Sequence, residues 1–148
     1  MAGWRVAMVA SNPQFIEWFI KVKSNIDSGQ FRPVMLAATK ALSLPDDWYV
    51  QLNEVYRERE RIACQIMDEL GCSVMPGQQG LFLWGRIPEN ETSVESFTDR
   101  VLNKARVFIT PGSIFGSNGN RFVRISLCAP ADRMNQALIR IKEAELNQ

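Results

Sequence analysis

In the stretch RFVRISL, residues 121–127, a guanidinium stands in the middle of an apolar run. Read with the two-residue period of a strand, Val123, Ile125 and Leu127 share one face, and Phe122, Arg124 and Ser126 share the other. Two readings of Arg124 follow. On an open antiparallel sheet it points to solvent. Alternatively it is a planar fork that takes a carboxylate through two parallel charge-assisted hydrogen bonds. A second arginine, Arg5, follows MAGW and precedes an apolar segment. It is either an ordinary strand-edge cation or a fork suited to a phosphate. The loop PGSIFGSNG has glycines at 112, 116 and 119, which could cradle an anion on backbone N–H groups. It lacks the Lys-Ser/Thr ending of a P-loop and does not match GxGxxG, and turn chemistry accounts for its composition as well.

The chain excludes several classes of chemistry. It has 148 residues and no histidine, which removes Ser-His-Asp and Cys-His catalysis and most zinc and copper sites. No metal site is expected. The three cysteines, Cys64, Cys72 and Cys128, have no CxxC spacing; two sit in apolar surroundings, and the set reads as buried free thiols in a reducing, cytoplasmic compartment. A formal net charge of +1 with dispersed Lys and Arg gives no footprint for nucleic acid or a membrane surface. No apolar run approaches the ~18 residues that a membrane span needs, and nothing at the start reads as a signal peptide. The RERER run at 57–61 reads as the solvated face of a helix. Trp18, Trp48 and Trp84 read as core or interface residues.

Chemistry at Arg124 and Arg5 needs elements to position it. WRVAMVA, residues 4–10, reads as a short strand whose apolar middle expects neighbours on both sides. Asn12 and Pro13 give a helix start, with Phe15, Phe19 and Val22 recurring at helical spacing beside Trp18. IDSGQ breaks the chain, and Pro33 opens a second helix through about Leu42. Pro45, Asp46 and Asp47 then begin a long helix that Gly71 ends as a left-handed cap. Its apolar stripe comprises Leu52, Val55, Tyr56, Ile62, Ile66 and Leu70.

Beyond Gly71 the texture changes to short strands and turns. CSVM and GLFLWGRI flank PGQQ as a strand–turn–strand. Thr92 and Glu95 form a capping box before a helix carrying Phe97, Val101 and Leu102. RVFIT reads as a strand, the glycine-rich loop leads into RFVRISL, and a last helix runs from about Pro130 with Met134, Leu138 and Ile141 inward. Residues 72–148 thus read as a complete-looking α/β sandwich, and residues 1–44 as part of something else.

MAGWRVAMV, NPQFIEWFIKVKSNIDSG, RPVMLAATKAL and VFITPGSIFGSNGNRFVRISL together resemble the carboxy-terminal part of class I/II aminotransferases, the fold-type I enzymes that use pyridoxal 5′-phosphate. The resemblance runs over essentially the whole chain, in the family's order. It implies an α/β fold in three parts: residues 1–44 as the last strand and helices of the large cofactor-binding domain, 45–71 as a long connecting helix, and 72–148 as the small domain. It implies that Arg124 clamps the α-carboxylate of an amino-acid substrate and that Arg5 helps neutralise the cofactor phosphate. Ser24-Asn25 resembles a segment that approaches the neighbouring subunit's site, so a homodimer is implied for the intact enzyme.

The departures carry equal information. The family's Schiff-base lysine lies eight residues before the GWR arginine, a place that would precede Met1. None of Lys21, Lys23, Lys40, Lys104 or Lys142 sits in a matching motif, so no catalytic residue is expected within these 148 residues. Ala7 stands where the family usually has Gly. Ile20 occupies the place of a distal-carboxylate cation in one aspartate-specific branch, which argues against that branch's arrangement. The reading is therefore the carboxy-terminal part of a transaminase exchanging an amino group between an L-amino acid and a 2-oxo acid, inactive by itself. The alternative is a stand-alone, non-catalytic α/β module that binds a small carboxylate or a protein partner.

Overall fold

The computed structural model describes residues 2–144 and 146. By its internal contacts the chain divides into two units, Met1–Val50 and Gln51–Gln148.

The first unit holds a short 3-10 turn, Ala2–Trp4, and two helices, α1 (Pro13–Ile26) and α2 (Arg32–Leu42). α1 begins as its sequence requires. The Asn12 side chain accepts a hydrogen bond from the Gln14 N–H at 3.0 Å, and Pro13 fills the first helical position. A third helix, α3 (Asp46–Glu69), starts in this unit, where the Tyr49 hydroxyl donates to the Ala41 carbonyl at 2.7 Å. Neither α1 nor α2 contains a buried residue. Their apolar stripes, with Phe15, Trp18, Phe19 and Val22 on α1 and Met35 and Leu36 on α2, are exposed. The strand expected at 4–10 does not form. Arg5 is a turn residue and Val6–Ala10 have no regular structure. A strand exists only as part of a hydrogen-bonded ladder, and the described sheet contains none of these residues.

The second unit is a two-layer α/β sandwich. Four strands, β1 (Ser73–Val74), β2 (Phe82–Arg86), β3 (Thr110–Pro111) and β4 (Phe122–Ser126), form a sheet in the order β1-β2-β4-β3, antiparallel throughout. One face of the sheet carries Leu83 and Val123 into the core. Three helices supply the rest of that core. The second half of α3 gives Ile62, Ala63, Ile66 and Met67; α4 (Val94–Ala105) gives Val94, Phe97 and Val101; α5 (Ala131–Glu143) gives Met134, Leu138 and Ile141. The core of the small sandwich therefore starts inside the long helix rather than after it. Leu52 and Val55, on the same predicted stripe, remain exposed.

α3 ends in a Schellman arrangement. Gly71 takes φ +67°, its N–H reaches the Asp68 carbonyl at 3.0 Å, and the Cys72 N–H reaches Met67 at 2.8 Å. Two local expectations need correction. The cap of α4 is Ser93, whose hydroxyl accepts from the Ser96 N–H at 3.0 Å, not Thr92. The Glu95 side chain is engaged instead by the Ser113 hydroxyl. RVFIT contributes only Thr110 to a strand, because Arg106 adopts the left-handed conformation (φ +58°) that closes α4 and delays the extended run.

The free thiols differ sharply in environment. Burial, then the nearby Glu91 charge, pushes the Cys72 thiol up to about 12. Burial, Glu60 and Asp68 raise that of Cys64, while Cys128 is exposed. Iodoacetamide at pH 8 should therefore label Cys128 first and reach Cys72 only on unfolding, because the thiolate is the reactive form. Peptide mass spectrometry over a labelling time course checks the order; early labelling of Cys72 contradicts the packing described.

Candidate active-site surface

Since three helices cover one face of the sheet, the other face is where the polar side of β4 must go. The register sets Arg124 opposite Trp84 of β2 and Thr110 of β3, so these three residues form a row across three strands on the uncovered face. Phe82 pairs with Ser126, and Arg86 with Phe122, on the same face. Alternation thus delivers Arg124 outward, half-buried rather than freely solvated.

The guanidinium is surrounded by rings. Its central carbon lies 4.1 Å from the Phe82 centroid, 4.1 Å from Phe115 and 5.9 Å from Trp84. Trp84 and Phe115 meet edge to face at 5.5 Å. Among the described residues no carboxylate comes within ion-pair distance of Arg124. Three other arginines of this unit are occupied. Arg100 engages Glu91 with both terminal nitrogens, Arg86 pairs with Glu89 at 2.8 Å, and Arg121 donates to the Pro88 carbonyl at 2.7 Å and also to that of Glu91. Arg124 thus offers a cation held by aromatic faces with its in-plane N–H groups uncommitted to any carboxylate.

Two devices shape this surface. The Gln78 carboxamide acts as a missing strand neighbour, accepting from the Trp84 N–H at 2.9 Å and donating to the Trp84 carbonyl at 2.8 Å. It fixes the backbone that carries the indole. The second device is the loop after β3, which folds as two 3-10 turns, Gly112–Phe115 and Ser117–Gly119. Three of its amides are spent internally: Gly116 N–H on Ser113, Gly119 N–H on Gly116 and Asn120 N–H on Ser117, at 2.9–3.2 Å. With those three donors committed, the loop folds as a turn structure. It presents Phe115 to Arg124. Ser113 tethers it to the first turn of α4 by donating to Glu95, and that hydrogen bond holds the exposed Glu95 carboxyl below its usual range.

Two clefts adjoin this surface. Trp84 and Phe115 line one of about 580 Å³ with Met75, Gln78, Arg86 and Phe122. Arg124 lines a smaller one of about 280 Å³ with Thr110, Ser126 and Arg133. Arg5 belongs to the first unit. It is exposed, at φ +51°, and makes no ion pair among the described residues. A non-glycine residue in that conformation is uncommon, and a free fork on a turn is chemically suited to an oxyanion. Sequence reasoning singled out both arginines but missed the aromatic surroundings. Phe82 and Trp84 stand two apart in LFLWGR and so had to share a face, a usable signal once β2 and β4 are paired. Phe115 carried no such signal, since its placement depends on how the loop folds.

Comparison with known proteins bears on the whole chain. The aminotransferase class I and II family matches residues 1–141. An LL-diaminopimelate aminotransferase of Aquifex aeolicus is 38% identical over 146 residues, which is 99% of this chain and 38% of that protein. Among solved structures, apo-BacF from Bacillus subtilis superposes with a TM-score of 0.78 at 32% identity, over 97% of this chain and 37% of its own. An aromatic aminotransferase from Pyrococcus horikoshii OT3 gives 0.79 at 26% identity, over 97% and 39%. The chain spans under two-fifths of the length of these relatives. An outward Arg on the open face of the second unit's antiparallel sheet, preceded by a long helix, accompanies a match over nearly every residue: the chain belongs to the class I and II aminotransferases, the pyridoxal-phosphate-dependent fold-type I family.

Proposed function

We propose that this chain is the carboxy-terminal part of an aminotransferase moving an amino group between an L-amino acid and a 2-oxo acid, with Arg124 holding the substrate α-carboxylate. The observation that carries this reading is a half-buried guanidinium on the open sheet face, ringed by aromatics and paired with no carboxylate of its own among the described residues. Two parallel N–H···O bonds from one rigid fork fix both the position and the orientation of a carboxylate. That orientation sets where the substrate's Cα–H points, which is what stereospecific proton movement requires. The names of several relatives make a diaminopimelate-like amino acid the leading donor substrate.

Pyridoxal phosphate, when bound, supplies the electron sink for the chemistry. The group this chain offers it is Arg5, whose guanidinium is exposed and free to neutralise a phosphate. The domain division at 1–44, 45–71 and 72–148, a cytoplasmic location and a homodimeric enzyme belong to the same reading. The exposed apolar faces of α1 and α2 support assembly with further protein surface.

The reading makes the 148 residues inactive by themselves, because the amine that the chemistry needs lies outside them. The chain incubated with pyridoxal phosphate and reduced with borohydride should carry no stoichiometric label on any one lysine, and should transfer no amino group. A single lysine labelled to one equivalent overturns the assignment.

A further inference from the structure

We propose that Phe115 and Phe82 are positioning residues for Arg124. Their rings hold the plane of the guanidinium so that an incoming carboxylate meets its N–H edge and not its face. The inference rests on the assignment of Arg124 to carboxylate binding and goes a step further, to what prepares that arginine.

Both phenyl centroids lie 4.1 Å from the guanidinium carbon. Phe115 also meets Trp84 edge to face, so the guanidinium has two separate phenyl contacts, one from β2 and one from the loop after β3. A guanidinium lying parallel over a ring uses its faces for the contact and leaves its in-plane donors available, and that is the arrangement the proposal assigns to Arg124. An arginine side chain carries about 2 kcal/mol of rotamer entropy, and restraining it before the ligand arrives removes part of that cost from binding.

The two rings are held from different directions. Phe82 stands on β2, two residues from the Trp84 that faces Arg124 across the ladder. Phe115 closes a 3-10 turn whose loop is tied to α4 through Ser113 and Glu95. Both remain 41% and 50% exposed respectively, so neither is explained by core packing.

The test uses the 148-residue chain, labelled with ¹⁵N, and follows the Arg124 Nε–Hε resonance. Ring currents should displace that resonance upfield of those of exposed arginines such as Arg57 and Arg140. Phe115→Leu should abolish most of the displacement, and Phe115→Tyr should retain it. Titration with acetate should move the resonance, with the half-saturating concentration raised about three- to tenfold in Phe115→Leu and unchanged in Phe115→Tyr. Unaltered Leu83 and Val123 methyl resonances verify that the sandwich is intact in each variant. An undisplaced resonance in the parent chain, or equal acetate half-saturation in Phe115→Leu, overturns the clamp. A displaced resonance that acetate never moves instead removes the carboxylate role and leaves the stacking in place, which separates the two failures.

Discussion

Replacing Arg124 with lysine in the enzyme that carries this chain is expected to lower kcat/KM for an amino-acid substrate by about 30- to 700-fold, the equivalent of roughly 2–4 kcal/mol. The substitution keeps the positive charge, so a surface role or a purely long-range electrostatic role predicts almost no effect. What it removes is geometry. An ammonium makes a single-point contact on a flexible stem, whereas the guanidinium offers two parallel donors in one plane. Arg124 already stands within 4.1 Å of two phenyl rings and 5.9 Å of an indole. A lysine there retains some attraction to those rings but gains nothing from having its plane set, because it has none. The matching amine, which lacks the carboxylate, is the control: its turnover should barely change. Steady-state kinetics on both substrates decide the matter. Equal kcat/KM for the amino acid in the two proteins would place Arg124 outside the binding site.

How far this surface was legible in the sequence depends on the range of the forces that build it. The polarity of β4 was legible because alternation is local: Val123 and Leu127 are buried, and Arg124 faces away. The starts of α1 and α3 and the glycine that ends α3 were legible because caps and left-handed turns act over three or four residues. The α4 cap was misread by one residue, since Thr92 and Ser93 are both competent and only the backbone conformation at Ser93 decides between them. WRVAMVA has the composition of a strand, but strand structure is a property of pairing, and composition carries no information about whether a partner is at hand. Phe115 was not legible, because its position follows from a contact between Gly112 and Gly119, seven residues apart, and from a tether on another helix.

That glycine contact carries the second large effect. Substituting Gly112 by alanine is expected to destabilise the second unit by about 3 kcal/mol, at the upper end of what inserting one methyl into packed structure costs. Gly112 is buried, and a Cβ there would sit 2.5 Å from the Gly119 carbonyl oxygen, 2.6 Å from that of Phe122 and 3.1 Å from the Trp84 ring. Two of these three neighbours are backbone, so no side-chain rotation relieves the collision. The contact is reciprocal, since a Cβ at Gly119 would fall 2.0 Å from the Gly112 carbonyl oxygen. The chain can accommodate the methyl only by opening the loop, and opening the loop carries Phe115 away from Trp84 and Arg124. Gly112→Ala should therefore lower the urea midpoint and remove the ring-current displacement at Arg124 together. Ser117→Ala, on the exposed side of the same loop, should shift stability by no more than about 0.5 kcal/mol. If Gly112→Ala unfolds at the parent's urea concentration with the Arg124 resonance unmoved, the loop is not held by backbone-on-backbone packing, and Phe115 must owe its position to something other than Gly112.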